Sequence, residues 1–573
     1  MSTRGPACSG ATNSSGRRSM RLLVVTEKCG PEEAQRDGGA QLVATLQRAF
    51  GGDLAIAQFG RCADNAAIWH HPYPVTEGDR FVRRLANARF VADRVRALAS
   101  DFTDVAFVHA SMQFDLGLLP GVRTWTFPMF LTPSYAASGE CVPSRYTEAE
   151  RHALALTDRI ITPSHGERRQ LTDVYGVPGE RIRVVPRGVD SVMFPAVVRS
   201  LDGAPLLCSV GSIKRQKNTL GLLRLFAGVR KRRPSARLRL IGGVQDEAYA
   251  IEVRGELRRL GLVDHVDFAG YLPPSALSDA LRDVHLHVSR STCETFGRAI
   301  FETLTAGIPN VARARNNAAA EFLAEAPYAR FEDDDARAVE AIDEMLVDLP
   351  QRSAMAAEVG QLFDDALLGR LLAAEVYDRE AIAISDYDGT LFHKHDAERT
   401  RRSMEAFRRF PVRVVCSARP VDELVAALDA HELLVDWIVG FSGAVVADGR
   451  GRTLWSAPLD RRDIAELEHQ FPTTRHVRSG EEVLQLAAPA DSIRPSPRFR
   501  VETYQGTAFI GRWEGSKLRA VHRLLNHVEW RGRVLAFGDG PYDAELLNFF
   551  DGTLIRTAHS ESHARQATEI THA

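Results

Sequence analysis

Two acidic side chains stand close together after an apolar run in the last third of the chain. The run AIAIS leads directly into Asp386, Tyr387, Asp388, Gly389 and Thr390. At the end of an extended strand, residues two apart point to the same side, so both carboxylates can reach one substrate. One carboxylate can attack phosphorus and form an aspartyl-phosphate. The other can protonate the leaving alcohol and then activate water. The pair predicts phosphoryl transfer.

Three further polar elements follow in order along the chain. Ser417 comes directly after the run VRVVC, Lys517 lies in WEGSKLRAVHRLL, and Asp539 and Asp543 follow RVLAF. Parallel strands place their carboxyl ends at one edge of a sheet, where sites form. We expect Ser417 and Lys517 to hold phosphoryl oxygens. We expect Asp539 and Asp543 to bind Mg²⁺ together with Asp386, because Mg²⁺ prefers oxygen ligands. Only six lysines occur in the chain, which makes the position of Lys517 informative.

These four elements resemble the haloacid dehalogenase (HAD) superfamily, in the subclass with a C2-type cap between its second and third motifs. Sucrose-phosphate and trehalose-phosphate phosphatases are similar. The resemblance covers about residues 380–573 and implies that Asp386 is the nucleophile and Asp388 the acid/base. It also implies a Mg²⁺ site formed by Asp386, Asp388, Asp539 and Asp543.

Two positions depart from that pattern, and neither removes a required catalytic group. Tyr542 stands where many relatives have Asn, and Ser442 stands where Asn is frequent. Between the second and third motifs the sequence is less regular and includes the Pro-rich IRPSPRFR. This stretch, about residues 443–510, is predicted to be the cap.

A second group of residues has the chemistry of a nucleotide-sugar site. Lys217 lies in VGSIKRQKNTLGLL, and Glu294, Gly297 and Glu302 lie in SRSTCETFGRAIFETLTAGIPNVA. A helix N-terminus after a Gly-containing loop can hold a diphosphate, and a carboxylate further along can accept two ribose hydroxyls. A Lys after a strand adds a point charge. Two Glu eight residues apart are common on a solvated helix face, but the Gly and the Lys element favour a site.

This second group resembles the retaining GT-B glycosyltransferases of family 4, over about residues 20–375, and the sucrose-phosphate synthase type in particular. Gly38 and Gly39 resemble the Gly-Gly loop after the first strand of that type. His109 resembles its strand-ending His that contacts the donor sugar. The resemblance implies that donor-binding residues are Gly39, His109, Lys217, Glu294, Gly297 and Glu302. In that set Lys217 binds the diphosphate, Glu302 the ribose and Glu294 the transferred sugar.

Three departures concern the substrates of this second site. Ser212 replaces the usual Arg, and Lys214 or Arg215 could substitute for it. The segment 131–134 reads LTPS where the subgroup has T-G-H-S. Thr295 follows Glu294 where the family usually has Gly. The donor base, the donor sugar and the acceptor are not specified by these residues.

The elements that position both groups are apolar runs separated by stretches of helical period. Such continuous runs are typical of parallel strands buried on both faces, so the predicted class is α/β. We expect a tail over 1–19, with Met1 and Met20 both possible starts. Two Rossmann-like domains of a GT-B fold are predicted over 20–200 (acceptor side) and 201–378 (nucleotide-sugar side). A HAD core with its cap is predicted over 379–573.

Composition limits the possible partners. Lys plus Arg is 72 and Asp plus Glu is 74, so the net charge of -2 gives no basic field for nucleic acid. No apolar run reaches the ~18 residues that a membrane span needs. Seven Cys without a C-x-x-C pair indicate a reducing, cytoplasmic setting. The oligomeric state is not specified.

The two resemblances together predict a bifunctional enzyme. Its first half transfers a sugar, with retention, from a nucleotide sugar to a phosphorylated sugar or polyol, with no cofactor. Its second half removes the phosphate of the product with Mg²⁺. Two alternatives are open for the HAD unit: a regulatory or binding role without catalysis, or hydrolysis of an unrelated sugar phosphate.

Overall fold

The protein is described here by a computed structural model that covers residues 22–30, 34, 37–60, 69–324, 326–471, 474–493, 498–504 and 506–555. The predicted tail over 1–19 lies outside these residues. The chain forms two compact units, the first ending at Arg183 and the second beginning at Val184. The predicted second and third domains therefore belong to one compact unit.

The first sheet has seven strands in the order β3-β2-β1-β4-β5-β6-β7. Strand β1 lies inside the sheet, pairs in parallel with β2 and β4, and has all five residues buried. The strands are β1 (Leu22–Thr26), β2 (Leu54–Phe59), β3 (Trp69–His71), β4 (Asp104–Val108), β5 (Arg123–Phe127), β6 (Arg159–Thr162) and β7 (Ile182–Val184). The helices are α1 (Gly38–Phe50), α2 (Arg80–Ala99), α3 (Thr132–Ala137), α4 (Ser144–Leu156) and α5 (His165–Arg169).

The second unit begins with a six-stranded parallel sheet in the order β10-β9-β8-β11-β12-β13. Its strands are β8 (Leu206–Val210), β9 (Arg237–Ile241), β10 (Val266–Gly270), β11 (Leu286–Ser289), β12 (Asn310–Ala312) and β13 (Ala329–Phe331). Its helices are α6 (Thr219–Arg232), α7 (Glu247–Arg259), α8 (Pro274–Ala280), α9 (Arg298–Thr305), α10 (Ala319–Leu323), α11 (Asp335–Leu346), α12 (Leu349–Ala357), α13 (Val359–Leu362) and α14 (Asp365–Val376).

A third sheet follows in the same unit, in the order β18-β17-β16-β15-β14-β23-β24. Its strands are β14 (Ala381–Asp386), β15 (Val412–Cys416), β16 (Trp437–Gly440), β17 (Val445–Asp448), β18 (Thr453–Ser456), β23 (Arg533–Gly538) and β24 (Thr553–Leu554). Its helices are α15 (Ala397–Arg408), α16 (Val421–Ala430), α18 (Lys517–His527) and α19 (Ala544–Phe549).

An antiparallel sheet in the order β19-β20-β22-β21 is inserted between β18 and α18. It comprises β19 (Arg475–Ser479), β20 (Glu482–Pro489), β21 (Arg500–Tyr504) and β22 (Thr507–Gly511), and helix α17 (Arg461–Gln470) precedes it. The predicted first residue of the cap, residue 443, lies too early in the chain, because the inserted sheet follows β18. Strands β17 and β18 extend the third sheet, because the side chains of Val445 and Ala447 pack into its core.

One apolar core joins the second and third sheets. It contains Phe301 and Phe363 from the first part of the unit and Val521 and Phe549 from the last part. The rings of Phe363 and Phe549 lie 5.3 Å apart, edge to face. This shared interior explains why residues after 184 form one compact unit.

Polar contacts also join the part of the unit with the second sheet to the part with the third sheet. The buried Arg519 forms an ion pair with Glu358 and donates to Tyr328 Oη at 3.4 Å. Asn548 Nδ2 donates to the carbonyl oxygen of Glu321 at 3.0 Å. Arg519 lies two residues after Lys517, so the helix that begins with this Lys is held by the part of the unit that contains the second sheet.

Candidate active sites

The carboxyl edge of the third sheet carries a buried lysine between two aspartates. Lys517 Nζ donates to Asp386 Oδ1 at 2.7 Å and to Asp543 Oδ1 at 2.6 Å, and all three residues are at most 7% exposed. Asp386 ends β14, Lys517 begins α18, and Asp543 precedes α19. The structure therefore brings together three of the predicted residues from three separate segments.

Asp539 completes a group of three carboxylates. One oxygen from each of Asp386, Asp539 and Asp543 lies within 4.8 Å of the other two. Burial raises the pKa of Asp386, the cation of Lys517 opposes this, and the charges of Asp543 and Asp539 raise it further. Three hard oxygen ligands around one point, with mutual repulsion that a cation would relieve, fit a Mg²⁺ ion. These residues would hold it.

Asp388 does not join that group. Its carboxylate accepts from Arg419 Nε at 2.7 Å and from Arg419 Nη2 at 2.5 Å, and it is about half exposed. The sequence predicts this carboxylate as a fourth metal ligand, but in the structure it pairs with Arg419 rather than joining the other three carboxylates. The Arg419 guanidinium also lies over the Tyr387 ring, 5.3 Å from its centre.

Glycine is required at two positions of this edge. Gly389 has φ +82°, and a Cβ there would lie 2.1 Å from Asp539 Oδ2. Gly443 has φ +109°, and a Cβ there would lie 2.3 Å from the carbonyl carbon of Ser516. The absent side chains let the Asp386 loop and the start of α18 approach their neighbours closely.

Ser417 lies where the sequence predicts, directly after β15, and it is buried. Its backbone N–H donates to Val439 O at 2.8 Å, and its carbonyl accepts from Ser442 N at 2.9 Å. Its hydroxyl accepts from Arg419 N at 3.2 Å. The Ser442 segment thereby supports the predicted phosphate-holding serine.

Lys217 and Glu294 meet at the carboxyl edge of the second sheet. Lys217 Nζ lies 2.5 Å from Glu294 Oε1. Two loops are joined to make this contact: Thr292 N donates to Gln216 O, and Gln216 Nε2 donates to Cys293 O, both at 2.8 Å. Burial would raise the pKa of Glu294, but Lys217 outweighs it and the pKa is lowered.

Glu294 precedes the helix that carries Glu302. Helix α9 begins at Arg298, and Gly297, with φ +88°, is its N-cap. The two carboxylates therefore do not lie on one helix: Glu294 is in the loop before α9, and Glu302 is in α9. Glu302 is buried, pairs with Arg298 at 2.9 Å, and burial raises its pKa.

The two candidates for replacing the usual Arg differ in position. The Arg215 guanidinium pairs with Glu252 and lies over the Tyr249 ring at 5.2 Å, so it is directed to helix α7. Lys214 contributes to the lowered pKa of Glu294. Of the two, Lys214 is the one whose charge acts on the site.

In the first unit, Gly39 and His109 both lie near the carboxyl end of β4. Gly39 is in the first turn of α1, where the Asp37 side chain accepts from Gly39 N at 2.8 Å. Val108 is the residue before His109, and a Cβ on Gly39 would lie 3.4 Å from its Cγ1. His109 has φ +89° and is buried. Burial lowers the pKa of His109 well below its usual value.

Two charged residues, Arg84 and Glu27, lie close to His109. The sequence does not single out either of them. Arg84 Nη1 lies 2.9 Å from His109 Nε2, and Arg84 Nη2 donates to Glu27 Oε2 at 2.6 Å. The Tyr135 hydroxyl lies 3.2 Å from His109 Nε2. Burial would raise the pKa of Glu27, but Arg84 lowers it to about 2. Helix α2 holds several arginines, and nothing in their spacing distinguishes Arg84.

Two family models match consecutive parts of the chain. Residues 49–192 match the model described as Glycosyltransferase Family 4, and residues 194–360 match Glycosyl transferases group 1. Residues 49–360 therefore form a family 4 glycosyltransferase region of the GT-B type. This region includes His109, Lys217, Glu294 and Glu302.

Curated relatives of this transferase region share about 30% identity over part of their length. The D-inositol 3-phosphate glycosyltransferase of Acidothermus cellulolyticus is 31% identical over 184 residues, 30% of this chain and 41% of that protein. The mannosylfructose-phosphate synthase of Agrobacterium fabrum is 27% identical over 183 residues, 29% of this chain and 40% of that protein. The chain thus spans less than half the length of these curated relatives.

A solved structure shares the fold of the transferase region. The sucrose-phosphate synthase from Thermosynechococcus elongatus aligns with a TM-score of 0.53 at 18% identity, over 62% of this chain and 98% of that chain. Among the helices that the structure describes, none combines the length and the apolar character that crossing a membrane requires.

Proposed function

We propose that this protein is a bifunctional glycosyltransferase and phosphatase. It transfers a sugar, with retention, from a nucleotide sugar to a phosphorylated sugar or polyol, and it then hydrolyses the phosphate of the product. The observation that carries the phosphatase half is Lys517 buried between Asp386 and Asp543. The observation that carries the transferase half is the Lys217–Glu294 pair inside the matched region.

The transferase half uses charge and a helix N-terminus to bind its donor. Lys217, with Lys214 nearby, meets the diphosphate, while Gly297 leaves the first turn of α9 open to it. Glu302 accepts hydrogen bonds from the ribose, and Glu294 contacts the transferred sugar. A phosphorylated acceptor is supported by the names of the relatives, which include a D-inositol 3-phosphate glycosyltransferase and a mannosylfructose-phosphate synthase.

The phosphatase half proceeds in two displacements. Asp386 attacks phosphorus, the bond from phosphorus to the sugar oxygen breaks, and Asp388 gives its proton to that oxygen. Asp388 then takes a proton from water, whose oxygen attacks phosphorus and releases Asp386 and inorganic phosphate. Ser417 and Lys517 hold the phosphoryl oxygens. A Mg²⁺ ion held by Asp386, Asp539 and Asp543 would supply charge neutralisation for the phosphate.

The joining of the two activities has a thermodynamic reason. Transfer between a nucleotide sugar and a sugar phosphate can run close to balance, whereas hydrolysis of a phosphate ester is effectively irreversible and draws the transfer forward. A purely regulatory phosphatase fold would not need a nucleophile, and the complete set of Asp386, Lys517 and Asp543 in contact favours catalysis over that alternative. We place both reactions in the cytoplasm.

The test is to screen UDP-, GDP- and ADP-sugars against sugar phosphates, measuring nucleoside diphosphate and phosphate separately. With the productive pair, Asp386→Asn is expected to abolish phosphate release, to leave transfer intact and to accumulate a phosphorylated glycoside. Asn is nearly isosteric but cannot act as the nucleophile. The control Asp422→Asn alters an exposed position of α16 and should behave as wild type. Continued phosphate release by Asp386→Asn would contradict the assignment of the nucleophile.

A further inference from the structure

Two ion pairs lie at the carboxyl edge of the second sheet. Lys217 Nζ is 2.5 Å from Glu294 Oε1, and Arg298 Nε is 2.9 Å from Glu302 Oε1. Both carboxylates are largely withdrawn from solvent, with 13% and 11% of their side chains exposed. The charge of Lys217 acts on Glu302 as well, since it opposes the rise in pKa that burial causes. The two pairs are therefore close together, and each of the two cations already has a carboxylate partner.

Arg298 is the first residue of helix α9 and directly follows the N-cap Gly297. The Cα–Cβ bonds of a helix are tilted towards its N-terminus, so a long side chain at this position can extend beyond the first turn. In the structure the side chain runs the other way, along the helix to Glu302. Rotation about side-chain bonds is enough to convert one arrangement into the other.

The stability of α9 does not account for an Arg at this position. The N-terminus of a helix carries partial positive charge, so a cation in the first turn is unfavourable. The first turn reads Arg-Ala-Ile-Phe and contains no acidic residue. An Arg that precedes a Glu by four residues is also the less favourable order for such a pair. The start of α9 therefore concentrates positive charge, which suits an anionic ligand.

A nucleoside diphosphate carries the two groups that can replace this ion pair. Its ribose hydroxyls are neutral donors, and a carboxylate accepts from a hydroxyl as it does from a guanidinium. Its diphosphate offers oxygens that a guanidinium binds in a bidentate manner. Ser212 leaves the edge without the usual Arg, and Arg215 is directed to Glu252. A guanidinium released from Glu302 would supply the missing charge.

We propose that Arg298 exchanges partners when the sugar donor binds. The two ribose hydroxyls take the place of the guanidinium on Glu302, and Arg298 turns past the N-terminus of α9 to the diphosphate. The ligand that drives this exchange carries a ribose diol and a diphosphate in one molecule. A diphosphate without the ribose leaves Arg298 on Glu302 and binds weakly. This inference rests on the proposed donor site and adds to it a residue that discriminates among ligands.

The experiment titrates the full chain with UDP, GDP and ADP, and then with the nucleoside of the base that binds, by displacement of the diphosphate. We expect Arg298→Gln to weaken the nucleoside diphosphate about tenfold, because a charged hydrogen bond is lost. The nucleoside alone should bind at least as tightly as to wild type, since no cation competes for Glu302. The control Arg401→Gln removes an exposed pair with Glu405 at the same spacing and should change neither affinity.

Equal weakening of the nucleoside and its diphosphate by Arg298→Gln would overturn the exchange, because Arg298 would then only support α9. Unchanged affinity for both would also overturn it, and either result leaves the donor site standing. Wild-type protein that binds none of the three diphosphates would overturn the donor site, and the exchange with it. If Arg298→Gln does not fold, Glu302→Gln carries the test with pyrophosphate in EDTA. This variant frees Arg298 and should bind pyrophosphate more tightly than wild type, and no gain would overturn the exchange.

Discussion

Arg419 donates two hydrogen bonds to the carboxylate of Asp388, one from Nε and one from Nη2. One guanidinium therefore contacts both oxygens of the proposed acid/base, and each oxygen keeps a further lone pair for the proton that it transfers. The guanidinium itself lies over the Tyr387 ring. Such a bidentate pair fixes the orientation of a carboxylate as well as its charge. In the proposed phosphatase, Arg419 would therefore position Asp388 for proton transfer, two residues after the proposed phosphate-holding Ser417.

Arg419→Ala is expected to lower kcat for glucose 6-phosphate by about ten- to a hundredfold, since general acid catalysis contributes about 10²–10⁴ and misorientation removes part of it. The loss should be much smaller for para-nitrophenyl phosphate, whose leaving group departs without a proton. Arg401→Ala, on the exposed face of α15, is the matched control. Equal losses on both substrates would show that Arg419 does not act through Asp388.

Lys217→Ala is expected to cripple nucleoside diphosphate release while phosphate release from a supplied sugar phosphate continues. The lost charge weakens diphosphate binding, and charged hydrogen bonds contribute about 1.5–3 kcal/mol each. Glu302→Ala should act in the same direction through the ribose. Calorimetric titration of the donor measures both, with the exposed Lys231→Ala as control. Donor affinity unchanged in both variants would contradict the site.

EDTA is expected to stop phosphate release and to leave the initial rate of nucleoside diphosphate release nearly unchanged. The three carboxylates of Asp386, Asp539 and Asp543 outnumber the single ammonium of Lys517, so without a metal ion they would repel a phosphate dianion. At the proposed donor site, Lys217 and the N-terminus of α9 would meet the diphosphate instead. Time courses of the two products in one reaction test this. Equal loss of both activities, restored together by Mg²⁺, would contradict it.

Phe549→Ala is expected to lower the free energy of unfolding by about 3–5 kcal/mol, the usual cost of truncating a buried Phe. Because this ring packs on Phe363 in the shared interior, the donor site and the phosphatase site should lose heat stability together. Thermal inactivation of each activity measures this. The exposed Leu434→Ala is the control. Inactivation of the phosphatase alone would show that the two sheets unfold separately.

Local sequence predicted the elements of both sites well. The apolar runs before Asp386, Ser417 and Asp539 are strands, and each polar residue lies at the carboxyl end of its strand, as parallel α/β topology requires. The rarity and the position of Lys517 single it out in the sequence, and in the structure it contacts two aspartates. These features depend on short-range patterns that a single sequence carries.

Features that depend on tertiary packing could not be predicted in this way. The partner of Asp388 is Arg419, 31 residues away, and the partner of Glu27 is Arg84, 57 residues away. In a chain with so many arginines, nothing in the local pattern distinguishes those two. The sequence after Gly443 loses its regular βα order, which predicts β17 as part of the cap, whereas the apolar side chains of this strand pack into the third sheet.

The interior shared by the second and third sheets also constrains how this polypeptide can diverge. A domain attached only by a linker can be lost or exchanged for another by a single recombination event. Here such an event would strip Phe363, Tyr328 and Glu358 of their neighbours from the part with the third sheet and leave the part with the second sheet with an exposed apolar surface. If the proposed hydrolysis were no longer needed, point substitutions would remove it while the third sheet stayed in place as a scaffold for the second.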